Sequence, residues 1–253
     1  MGSSLINITP LLPVALALLV AAGATVAWLG RLGHGPAVVT ACARAAVQLG
    51  AVSVVITWVL TLPAATAAFV LLMYGVAAFT AGRRITGGQG GWWWAGVPIA
   101  AGTVPVLALL MACQVISTDG LVVIPIAGIL LGGCMTATTL AGKRARDELA
   151  QRHGEVEAAL SIGLLPRSAR LEICRPAAAQ SLVPALDQTR TVGLVTLPGA
   201  FVGMLLGGAT PLAAGLVQLV VLIALLAAEA VACVTTIELA ARDTWPRSSA
   251  HQE

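Results

Sequence analysis

Residues 212–241 read LAAGLVQLVVLIALLAAEAVACVTTIELAA and carry two charged side chains, Glu229 and Glu238. A helix that is apolar all round has no face to give to water, so it belongs inside a large core or a membrane. About 20 mostly apolar residues cross the hydrocarbon of a bilayer, and this run exceeds that. Working back along the chain, six more runs of the same kind appear at 11–29, 37–58, 64–82, 92–116, 121–142 and 191–208. Pro63 separates the second run from the third, because proline ends a helix. The pattern predicts an all-α fold: one polytopic membrane helix bundle over 1–253 with about seven transmembrane helices.

Composition agrees. Hydrophobic residues make up 58% and charged residues 10% of the chain, against about a quarter charged in soluble domains. The mean hydropathy is +0.93. With a net charge of +3 and no basic arm or acidic tail, nucleic acid is not an expected partner; the lipid bilayer is. The five cysteines are dispersed, without a CxxC pair, which argues against a disulfide framework or a zinc site. Residues 1–10 hold no Lys or Arg, so the first run reads as a retained span, not a cleaved signal.

Orientation follows from the basic residues, which favour cytoplasmic loops. Arg31 follows the first span, and Arg83 and Arg84 follow the third. Lys143, Arg144, Arg146, Arg152, Arg167, Arg170, Arg175 and Arg190 lie between the fifth and sixth, and Arg242 and Arg247 follow the seventh. All of these fall on one side of a seven-span model. The N-terminus is then outside, and the C-terminus, with a tail over 242–253, is inside. Trp92, Trp93 and Trp94 start a span, where an aromatic belt is expected.

The cytoplasmic segment 143–190 is too polar to span. Residues 155–162 read as a short helix, with Gly163 as its C-terminal cap and Pro166 in the first turn of a second helix. Val156, Ala159, Leu160 and Gly163 share one face of the first helix, and Glu157 and Ser161 another. Glu157-Ala158-Ala159, Gly163, Ile173 and Pro176 stand at the spacing of the EAA loop of ABC-transporter permeases, with Arg175 where that signature has Leu. The resemblance implies a coupling element, built from Glu155, Val156, Glu157, Ala158, Ala159, Leu160, Gly163 and Pro166, that docks on a cytoplasmic ABC ATPase.

The likeness extends further. The strings Val123-Ile124-Pro125-Ile126-Ala127-Gly128 with Gly132 and Met135, Gly154-Glu155-Val156-Glu157-Ala158-Ala159-Leu160, Ser181-Leu182-Val183-Pro184 and Thr191-Val192-Gly193-Leu194-Val195-Thr196-Leu197-Pro198-Gly199 resemble the FetB-type permease family. Arg44 and Gln48 match its second span. These are bacterial ABC membrane subunits linked to iron export and related to plant aluminium-tolerance proteins. The resemblance implies a permease in the cell inner membrane, working as a homodimer with a separate ATPase that binds the ATP and Mg. The chain departs from the family at Gly133 (usually Asn), at Ala200 and Phe201 (usually Met) and at Thr210 (often Asp). If those positions touch metal, the cargo here differs.

Arg44 and Glu229 are the deepest ionisable residues in the apolar runs. Such groups mark a pathway or pair with each other. With Gln48, Met135, Thr191, Pro198 and Gly199 they form the candidate pathway set. Met135 is a candidate soft metal ligand, although Met more often fills core space. Gly128 and Gly132, and Gly199, Gly203 and Gly207, recur every fourth residue, a spacing that lets helices approach inside one subunit or across a dimer seam. Pro198-Gly199 should break the sixth span. Ala141-Gly142-Lys143-Arg144 falls short of a P-loop, lacking its first Gly and its Ser/Thr, so no cofactor is expected on this chain and it is not an enzyme. The reading is the permease of an ABC exporter of a metal ion such as iron. An ABC importer of another small solute, and an ATP-independent secondary transporter or channel, are the alternatives.

Overall fold

The structure, a computed structural model, describes residues 9–60, 62–88 and 91–242; the tail from 243 on, with Arg247, lies outside them. The chain divides into two compact units, Met1–Leu62 and Pro63–Glu253. The first is a helical hairpin of α1 (Leu12–Leu29) and α2 (Gly35–Val59). Its turn runs through Arg31 and Gly33, both at positive φ, and Pro36 occupies the first turn of α2, where its missing N–H costs nothing.

The second unit holds α3 (Pro63–Thr86), a 3-10 turn (Trp92–Ala95) running into α4 (Gly96–Ala112), α5 (Gly120–Gln151), α6 (His153–Ser161), α7 (Pro166–Ala179), α8 (Val183–Thr191), α9 (Gly199–Leu206) and α10 (Pro211–Ala241). Its core lies where α3, α4, α5 and α10 meet, around Ile99, Leu130, Cys134 and Ala228. Lipid tails are as apolar as leucine, so close packing, not escape from water, holds such helices together. The residues at the contacts suit that: Ala81, Ala127, Ala137, Ala141, Ala228 and Ala232 are all buried.

α5 and α10 run parallel. Glu229 lies against Gly133, and further along both helices Ala141 and Ala145 pack with Cys233, Ile237 and Ala241. α7 closes this end: Arg167 binds Glu238 at 2.5 and 2.7 Å, and Arg170 donates to the Ala241 carbonyl at 3.2 Å. The Arg146 guanidinium donates to the Ile85 carbonyl and ties in the end of α3.

Six helices among the described residues are long and apolar enough to cross a membrane. They correspond to six of the seven expected spans. The expected span at 191–208 is corrected: it is not one helix. Because α5 ends and α10 also ends beside α7, the chain must return the length of α10, roughly 46 Å at 1.5 Å per residue, before α10 begins. It does so in pieces. α8 stops at Thr191, residues 192–198 form a turn, and the eight residues of α9 cover only about 12 Å. The cause is local. Gly193 sits at φ +80, a left-handed conformation outside the helical region, and Pro198 is extended and has no N–H to offer a helix.

Candidate functional site

At the end of the second unit closed by α7, α5 continues past Gly142 to Gln151. Residues 143–151 are charged yet mostly good helix formers, so the helix outlasts the apolar stretch. α6 follows at once. Its end is a Schellman motif: the Gly163 N–H donates to Leu160 O at 3.0 Å and the Leu164 N–H to Ala159 O at 3.1 Å. Gly163 stands at φ +93, where a side chain is strained. Pro166 is in the first turn of α7. Val156 is buried against Ala169 and Ile173, with Ala159 and Leu164 beside them.

Leu160, grouped with Val156 and Ala159 by periodicity, is 40% exposed; Ile162 is 79% and Leu165 72% exposed. Glu155, Glu157 and Ala158 are exposed as well. The outer side of the α6–α7 turn is therefore apolar at its tip and acidic at its base. Arg152 clasps Glu155 at 2.7 and 2.5 Å. That hydrogen-bonded guanidinium holds the Glu155 carboxyl below its usual range. The sign is that of a depressed acid: the stabilisation is complete above the unfolded value and fades as pH falls through the folded one. Burial pushes the Cys174 thiol on α7 up to about 11, so it is protonated at neutral pH.

The expected pathway residues fall in two places. Arg44 and Gln48 are exposed on α2, in the first unit. Glu229 is buried in the second. Met135 packs against the apolar core. Thr191 ends α8, donates its hydroxyl to Asp187 O at 2.8 Å, and accepts at its carbonyl from Leu194, at 3.2 Å, and Val195, at 2.9 Å. Pro198 precedes α9 and Gly199 opens it. Thr210, where the family often has Asp, caps α10 by accepting from the Ala213 N–H at 3.3 Å. A carboxylate would serve that role equally well.

The glycines differ sharply in surroundings. A methyl group on Gly128 would come within 2.9 Å of the Met73 side chain. On Gly132, Gly199 or Gly203 it would meet nothing within 4 Å in this chain, and on Gly207 only its own helix. Tighter approaches are elsewhere, Gly82 against the Trp92 backbone among them. A methyl on Gly102 would run into the Ala228 carbonyl and lie 2.9 Å from Cys134 Sγ, and one on Gly133 would run into Leu225 and the Glu229 carboxylate. Sequence reasoning missed Gly102, Thr103 and Cys134, since these lie in ordinary apolar runs. The departure at Gly133 was the one signal: the space an Asn would need there is occupied by Glu229.

Comparison with known proteins gives the following likenesses. A family model described as "Uncharacterised protein family (UPF0014)" matches residues 11–245. The chain is 36% identical over 238 residues to the UPF0014 membrane protein STAR2 of Oryza sativa subsp. japonica, covering 92% of this chain and 81% of that one. It is 40% identical over 176 residues to the protein ALUMINUM SENSITIVE 3 of Arabidopsis thaliana, 70% of this chain and 63% of the relative. It is 30% identical over 156 residues to the probable iron export permease protein FetB of Escherichia coli (strain K12), 62% and 60% respectively. No solved structure matches.

Proposed function

This chain belongs to the multi-pass membrane protein family UPF0014, and we propose that it is the permease subunit of an ATP-driven ABC exporter of a metal ion such as iron. The observation that carries the reading is the α6–α7 turn. A nine-residue helix is capped at Gly163, braced by Val156 against α7, and leaves Leu160, Ile162 and Leu165 exposed. Exposed apolar side chains grouped within a polar rim mark a protein-binding surface. ATP and Mg would sit on the partner ATPase, and closure of two ATPases would push this turn. The FetB relative's name supports a metal cargo and the outward direction. The one-sided basic residues support an outside N-terminus, an inside C-terminus and the cytoplasmic membrane.

A homodimer completes the reading. Irregular backbone at membrane depth is tolerated only against protein or a wet cavity. Residues 193–197 are exposed in the single chain and are largely apolar, and the Gly199 and Gly203 side of α9 is open. A second copy placed there would shelter both.

The test is co-purification. The full chain should carry an ABC ATPase through affinity purification, and a Leu160→Asp, Ile162→Asp double variant should insert normally and lose it. Retention of the ATPase by that variant would overturn the docking surface. Export that persists with a hydrolysis-dead ATPase would favour an ATP-independent carrier instead.

A further inference from the structure

At one level of the second unit, α4, α5 and α10 converge on groups that hydrocarbon does not tolerate unpaired. Glu229 is 8% exposed, and among the described residues it has no hydrogen bond or ion pair. Its carboxylate takes the room that a side chain on Gly133 would fill. Cys134, the next residue of α5, is fully buried and lies against the Gly102 backbone. The same spot on Gly102 is approached by Cys134 Sγ and by the carbonyl of Ala228, the residue before Glu229, and Thr103 follows Gly102 on α4. That Thr103 Oγ1 is itself buried without a well-formed hydrogen bond. One turn on, Pro105 inside α4 has no N–H, which leaves the Ala101 carbonyl without its helical donor.

Neutrality in a low dielectric decides what this arrangement can hold. A lone ionised carboxylate in an apolar place is costly, so the empty state carries a proton. A thiol there is protonated for the same reason. One divalent cation bound to one carboxylate and one thiolate is again neutral overall. The pair can therefore alternate between two protons and one divalent ion without ever burying net charge. Hard oxygen and soft sulfur together select a borderline transition metal over Mg or Ca, which require oxygen shells.

We propose that Glu229 and Cys134, with the Thr103 hydroxyl as a neutral third donor, form an intramembrane site that takes one divalent transition-metal ion in exchange for two protons. The site rests on the transport reading above and names the residues its cargo meets. On binding, the carboxyl O–H and thiol S–H bonds break, metal–oxygen and metal–sulfur bonds form, two protons leave, and no electron moves. No group of three or more His, Cys, Asp and Glu comes together among the described residues, so only two charged donors grip the ion. That suits transport, where a site must bind well enough to be entered and weakly enough to be left.

The experiment uses the full chain, purified, with the exposed Cys42 and Cys113 changed to Ser and Co²⁺ alone as the probe. Sulfur-to-cobalt charge-transfer absorption should appear on titration, with two protons released per ion into a weakly buffered dye solution. Cys134→Ser should abolish the band; Cys134→Ala replaces it should the Ser variant not fold. Glu229→Gln should weaken Co²⁺ binding at least about tenfold, as losses around metal sites do. Cys233→Ser and Cys174→Ser should keep the band. A band that survives loss of Cys134, or a folded parent chain that binds no Co²⁺, overturns the site. The measurement needs no ATPase, so it stands or falls separately from the docking surface.

Discussion

Adding one methyl group at Gly102 should loosen the second unit, whereas the same change at Gly132 should not. The methyl introduced by Gly102→Ala would collide with the Ala228 carbonyl, a backbone atom of α10 that cannot turn away, and would lie 2.9 Å from Cys134 Sγ. Carbon needs about 3.5–4.0 Å, so α4 must retreat by on the order of 1 Å. Overpacking of this kind costs about 1–3 kcal/mol, against roughly 1 kcal/mol gained from replacing a helical Gly by Ala. Gly132→Ala meets nothing within 4 Å and keeps only the gain. The two variants should thus differ by about 1–3 kcal/mol. At about 2–4 °C per kcal/mol for a chain of this size, that is a gap of roughly 2–12 °C. The assay is the midpoint of heat-induced loss of the monodisperse peak in detergent. A Gly102→Ala midpoint equal to or above that of Gly132→Ala would refute the packing argument.

Four further outcomes are expected. Gly163→Leu, forced to φ +93, should break the Schellman turn and abolish ATPase co-purification while the protein still inserts, as membrane fractionation would show. Gly203→Cys should cross-link two copies in membranes under mild oxidation if α9 lines a homodimer seam; a chain that stays monomeric on a non-reducing gel removes the seam. Reporter fusions at the two ends should place the N-terminus outside and the C-terminus inside, and agreement between them would remove the odd number of crossings. Arg44→Met should leave Co²⁺ binding intact if Glu229 belongs to an ion site, and a folded Arg44→Met variant that no longer binds Co²⁺ would count against that site.

The spans were legible because crossing hydrocarbon imposes a length and a composition that no other constraint imitates. The α6–α7 pair was legible because Gly163 and Pro166 act locally, through φ and a missing N–H. What the sequence hid is relational. Periodicity put Val156, Ala159 and Leu160 on one face, and contact with α7 buries Val156 while leaving Leu160 exposed at the edge. The overhang of α5 escaped a hydropathy reading, since Lys143 to Gln151 is polar while remaining helix-forming. Gly102, Thr103, Cys134 and Glu229 are far apart in sequence, and only the crossing of three helices makes them neighbours. The sixth crossing was half seen: the break at Pro198 was readable, but the turn at Gly193 that shortens α9 was not.

The length of α5 has a mechanical consequence. On the proposed orientation its outer end is Gly120 and its inner end, packed with α7 and α10, lies beside the α6–α7 turn, and the contact of Cys134 with Gly102 can act as its fulcrum. From that fulcrum the inner arm to Gln151 is roughly 26 Å and the outer arm to Gly120 roughly 21 Å at helical rise. A rocking of about 10° would swing the inner end by roughly 4–5 Å and the outer end by nearly 4 Å the opposite way. A push on the cytoplasmic turn would then close one mouth of the bundle as it opened the other, with the buried carboxylate and thiol at the point that moves least.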